Sequence, residues 1–96
     1  MKISEVTTDI VKEYINALEE KDTVINMLIS SSKQYILQYT GIKEEKLNEY
    51  EDLTMVLLIL CSDFYDKRQF MLDSNSGVPI NAIVESILNM HAFNLV

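Results

Sequence analysis

The chain has no tryptophan, one cysteine, one proline, one histidine and two glycines in 96 residues. A single cysteine, Cys61, forbids an intrachain disulfide. That removes the small disulfide-stapled scaffolds and fits a reducing compartment. Two glycines and one proline are too few for a β-rich fold, whose tight turns consume such residues, so the chain reads as helical. Gly41 and Gly77 stand far apart and form no phosphate-cradling loop, and there is no nucleophile elbow. The lone histidine, His91, has no second histidine and no cysteine near it in sequence, so it does not point to a metal. It reads instead as a partly exposed residue in the last turn of a helix, where a cation is mildly favoured.

Basic residues are scarce too: 8 Lys and Arg against 15 Asp and Glu, a net charge of −7. Phosphate backbones repel such a chain. Lys43 and Lys46 are surrounded by Glu44, Glu45 and Glu49, and Lys67–Arg68 is the only adjacent basic pair. The longest apolar run, MVLLILC from Met55, falls far below the ~20 residues of a membrane helix. In the stretch MKISEVTTDIVKEY, Asp9 and Glu13 interrupt any apolar core, so no signal peptide is expected. What remains is globular in composition, 48% hydrophobic and 24% charged. The length fits one domain, residues 1–96, with a modest core that partner subunits would help.

Four helices are expected. The first starts at Thr7 or Thr8, either of which can cap it, and carries the stripe Ile10, Val11, Tyr14 and Leu18 before loosening near Asn16. The second follows Asp22 as N-cap. Ile25, Leu28, Ile29, Ser32, Tyr35, Ile36 and Tyr39 recur at helical steps, and Gly41 closes it in the left-handed conformation. Residues Ile42 to Glu51 read as a solvated connection with a turn near Leu47. The third helix, from Glu51 or Asp52 to near Met71, has one face of Leu53, Val56, Leu57, Leu60, Phe64 and Met71. Its second face holds Met55, Leu58 and Ile59 with Ser62 and Asp66 beside them. A helix apolar on two sides is central or meets a second body. This second face is either covered within the chain, by the first or fourth helix, or is a subunit interface. A loop at Asn75, Ser76 and Gly77 leads through Pro79 into the fourth helix, with the stripe Ile80, Ile83, Val84, Ile87 and Leu88.

No catalytic, cofactor-binding or metal-ligating set emerges. Cys61 lacks a base and an electropositive setting, with Asp63 the nearest charge, and reads as a buried small hydrophobe. Asp63 and Asp66 point to different sides of a helix. The run KEEKLNEYED lacks the alternating ligands and central glycine of a calcium loop. Tyr14, Tyr35, Tyr39, Tyr50 and Tyr65 mostly fall on helical stripes without basic neighbours, which favours packing over base stacking. An enzyme is not expected.

The order of the pieces carries more than any one of them. VKEYI is followed by KDTVINMLISSSKQYILQYTG, a charged spacer, DLTMVLLILCSDFYDKR, a Gly-Val-Pro loop and a last short helix. This resembles the small head–tail connector, or adaptor, proteins of long-tailed bacteriophages. The likeness spans nearly the whole chain and rests on structural motifs: Gly41 after the second helix, Tyr65 and Arg68 three apart after the apolar run, and Val78–Pro79 before the last helix. It departs at ILNMHAFNLV, which lacks the family's basic ending. The resemblance implies an all-α subunit of a homo-oligomeric ring at the virion neck. That ring would sit below the portal protein, extend the DNA channel, help retain packaged DNA and offer head-completion or tail proteins a surface. It implies no catalysis and no cofactor, with assembly in the bacterial host cytoplasm from a phage or a prophage. Double-stranded DNA would pass without sequence-specific contact, which a net negative charge suits. Arg68 is expected to tie the third helix to a carbonyl or acid. The alternatives are a small dimeric regulatory or antitoxin-like protein, which should show a basic recognition helix, and a helical enzyme or ligand carrier, which should show a polar cluster in an apolar pocket. Neither feature is evident.

Overall fold

The computed structural model describes residues 1–67 and 82–94, and among them there is no strand. Among the described residues four α-helices follow in order: α1 (Thr8–Tyr14), α2 (Asp22–Thr40), α3 (Asp52–Asp66) and α4 (Ala82–Asn94). Short 3₁₀ turns occupy Ile3–Glu5 and Glu44–Glu49. The fold is all-α.

Thr7 caps α1, its hydroxyl accepting the Ile10 N–H at 3.3 Å. Asn16 then turns left-handed, at φ 58°, and ends the helix where loosening was expected. The stripe of α1 is narrower than its sequence suggests. Val11 is fully buried, but Tyr14 and Leu18 are 50% and 69% exposed. The helix stops at Tyr14, so the four-residue step to Leu18 leaves its axis.

The N-cap position of α2 is Lys21 rather than Asp22. The Asp22 carboxylate sits 2.6 Å from Lys12 Nζ, tying α1 to the start of α2. Ile25, Leu28, Ser32, Ile36 and Thr40 form the buried stripe. Gly41 closes the helix at φ 76°, its N–H donating to the Leu37 carbonyl at 2.9 Å.

The charged connection is less solvated than expected. Its 3₁₀ turn buries Leu47, and Ile42 before it is buried too. The glutamates and lysines around them stay exposed. The beginning of the chain lies over this corner. Ser4 N–H donates to Asn48 Oδ1 at 3.0 Å and Thr54 Oγ1 donates to the Met1 carbonyl at 2.8 Å.

α3 runs antiparallel to α2. Tyr65, near its end, reaches Glu20 just before α2, while Ser32 meets Cys61 one turn earlier along α3. α4 runs alongside α2 in the same direction, since Tyr35 faces Glu85 and the Tyr39 hydroxyl donates to Asn89 Oδ1. His91 in the last turn of α4 reaches Asp52 in the first turn of α3 at 2.8 Å, so α3 and α4 are antiparallel. The three helices make a triangle, and the core fills it: Ile25 and Ile36 from α2; Leu53, Val56, Leu57 and Leu60 from α3; Val84 and Leu88 from α4. Ile3, Val11 and Leu47 extend the same core beneath the smaller elements. Each such side chain contributes about 1.5–3 kcal/mol by leaving water.

α3 ends sooner than its apolar face suggested, with Lys67 out of helical geometry at φ −108°. Met71, the Asn75–Gly77 loop, Val78, Pro79, Ile80 and Arg68 lie outside the described residues.

Candidate functional site

Since α3 is packed by α2 inside the triangle, by α4 on one flank and by the beginning of the chain on the other, its remaining side faces outward. Met55, Leu58, Ile59 and Ser62 lie there, at helical steps of three and four. Met55 is 59% exposed, while Leu58, Ile59 and Ser62 are half-buried. The second face of α3 is thus flanked within the chain without being covered, and no described helix lies across Met55.

The antiparallel pairing of α3 with α4 brings more apolar surface to this side. Ile87 and Met90 follow each other by one turn, on the flank of α4 next to α3. Ile87 is half-buried against the core and Met90 is 63% exposed. The His91–Asp52 contact that joins the two helices, with the Asp52 side chain 50% exposed, lies one turn from Met55 and next to Met90. Ile87 belongs to the expected stripe of the fourth helix, and Met90 lies outside it. The three-residue step from Ile87 to Met90 was a usable signal, but only the pairing of α4 with α3 gives it meaning.

Several residues resolve to packing roles. Tyr65 sits at the end of α3 and donates its hydroxyl to Glu20 Oε2 at 2.9 Å, which ties α3 to the turn before α2. Cys61 is fully buried, with Sγ 3.5 Å from Ser32 Oγ. Burial raises its thiol pKa above the ordinary value, and the Ser32 hydrogen bond offsets part of that. A thiol held neutral is a poor nucleophile. Tyr35 is also raised, chiefly by burial and then by Tyr39 and Glu85 beside it. Its ring stacks on Tyr39 and meets Phe64 edge-on. His91 is more engaged than a partly exposed helix-end residue: its side chain is 13% exposed, bonded to Asp52 and edge-on to the Tyr50 ring. Arg68 and Pro79 lie outside the described residues, while Gly41 holds the left-handed turn expected of it.

Among the described residues, no three His, Cys, Asp or Glu side chains come together as a metal site. No described helix is long and apolar enough to cross a membrane. An open cleft of about 480 Å³ lies between Asn16–Glu20 and Tyr65. It is open to solvent, and its walls mix polar groups with Ala17 and Leu18, unlike the enclosed apolar lining of small-molecule sites. No family model, curated protein or solved structure matches this chain.

Proposed function

We propose that this chain is the subunit of a head–tail connector ring of a long-tailed bacteriophage, a structural assembly protein at the virion neck, between the portal and the tail. The observation that carries this reading is the outward apolar side of α3, with Met55 exposed at its centre in a chain of strongly negative charge. A surface of that kind favours protein contact and opposes phosphate contact. The order of motifs around Gly41 and Tyr65 supplies the family. A ring built by head-to-tail contacts covers such a face on every copy. DNA sliding through an acidic ring meets no strong attachment. In this reading the ring extends the portal channel and offers tail proteins a docking surface, with the protein acting by position alone.

The test is native mass spectrometry over a wide concentration range, with and without duplex DNA. One large closed stoichiometry, indifferent to DNA, is the expected result. A dimer that takes up DNA would overturn the ring in favour of the small regulatory alternative. Leu58→Glu should abolish the ring and leave a helical monomer with a modestly lowered Tm, because Leu58 is only half-buried. Met55→Glu, at a more exposed position, should do the same with an unchanged Tm.

A further inference from the structure

The described core is built from side chains that resist oxidation. Its members are isoleucine, leucine and valine with one exception, Cys61, and no methionine is among them. The methionines of the helices stand outside it. Met27 on α2, Met55 on α3 and Met90 on α4 are 65%, 59% and 63% exposed. The sulfur of the described residues is thus divided, with the thiol inside and thioethers in water.

This division bears on which sulfur an oxidant reaches. A thiolate is a strong nucleophile, and an accessible cysteine is oxidised readily. Cys61 lacks both access and thiolate. It is 0% exposed, and burial raises its thiol pKa, with the Ser32 hydrogen bond offsetting part of the rise. A thioether has no proton to lose and needs only access. Hydrogen peroxide is uncharged, so the net charge of −7 does not keep it from the surface.

We propose that Met27, Met55 and Met90 are oxidation sites, converted to sulfoxides by hydroperoxides ahead of Cys61, and that the conversion changes the surface of the protein without changing its fold. The thioether sulfur attacks one peroxide oxygen. An S–O bond forms as the O–O bond breaks. The proton left on the transferred oxygen passes to the departing hydroxide, which leaves as water. Sulfur loses two electrons and the peroxide gains them. The product is a polar sulfoxide in place of an apolar thioether, a change that disrupts a core when the methionine lies inside it. The described core holds none, so at each site the new oxygen meets water. At Met55 it falls on the outward side of α3, beside half-buried Leu58 and Ile59, and makes that side more polar. Methionine sulfoxide reductases, one for each epimer at sulfur, reverse the step with two electrons from a dithiol, the oxygen leaving as water.

The test treats the full-length protein with hydrogen peroxide at neutral pH and follows each site by tryptic peptide mapping with fragmentation. Met55 and Cys61 share the peptide 47–67, between Lys46 and Lys67, and Met27 is the only methionine of the peptide 22–33. The native protein should gain about 16 Da, one oxygen, at Met27, Met55 and Met90 while Cys61 stays a free thiol. Circular dichroism and Tm should not move, and retention on a hydrophobic column should fall. In urea the order within 47–67 should reverse, with Cys61 oxidised first. A variant carrying Met27→Leu, Met55→Leu and Met90→Leu together keeps apolar side chains at the three sites without the sulfur. It should fold as wild type and lose most of the retention change. Cys61 oxidised at or ahead of Met55 in the native protein would overturn the proposal. So would a loss of helical signal as the sulfoxides form, or the same order of oxidation in urea as in water.

Discussion

α3 presents two apolar faces with different environments. Toward the triangle, Leu53, Val56, Leu57 and Leu60 are at most 2% exposed. Toward the outside, Met55 is 59% exposed and Leu58 and Ile59 are half-buried. Residue type does little to separate them, since leucine occurs on both. The difference lies in what each face meets. The inner face interlocks with branched side chains of α2 and α4, and the outer face meets only the flanks of its neighbours. A stripe of helical periodicity tells that a face wants cover, and the cover itself comes from elsewhere in the chain or from another chain.

The sharpest way to break this comparison is to truncate one residue on each face. Leu57→Ala on the inner face should cost about 2–5 kcal/mol, through lost transfer energy and the cavity left behind. Chemical denaturation would read this as a lower midpoint with an unchanged slope. A loss under ~1 kcal/mol would mean that the triangle collapses to refill the site, and that the two faces differ less than their exposure suggests.

Much of this was legible beforehand. The α-helical class, the αL closure at Gly41, the start of α3 and the inner stripe from Leu53 to Leu60 all follow from periodicity and caps. Other features depended on distant partners. Leu47 and Ile42 looked solvated because their neighbours are charged, yet the 3₁₀ turn and Ile42 tuck these two apolar side chains inward. Asp22 looked like a cap because Asp is good at capping, but Lys12 on α1 draws its carboxylate away. His91 looked idle because Asp52 is far away in sequence. The pairing of α3 with α4 was invisible for the same reason: the two helices share no local pattern, and only the contact of His91 with Asp52 aligns them.

A middle-sized effect probes the seam between the inner face and α2. Cys61 is buried against Ser32 with its thiol pKa raised, so the folded state holds that proton more tightly than the unfolded state. The contribution is therefore fully present below the unfolded thiol pKa of about 8.5, and stability falls as pH rises through that value toward the folded one. Tyr35, also raised, adds a similar decline above about pH 10, its ordinary value. Unfolding measured from pH 7 to 10 should slope downward. Cys61→Ala should be less stable at pH 7 and should flatten the part of that slope below pH 10. A variant that declines as steeply as wild type would show that the thiol does not set it.

The smallest expected effect is the most discriminating for the outer face. Met55→Ala removes a large apolar side chain that is mostly in water already. In an isolated monomer the change should therefore stay within about 0.5 kcal/mol, the range of ordinary surface substitutions. In an assembled sample the same change should lower the apparent stability, and the loss should grow with protein concentration, because a contact made only in the assembly stabilises by mass action. Thermal melts of wild type and Met55→Ala across a hundredfold dilution separate the two cases. Parallel curves at every concentration would mean that no second copy covers Met55. Curves that diverge as concentration rises would place the missing cover of α3 on another copy of the chain.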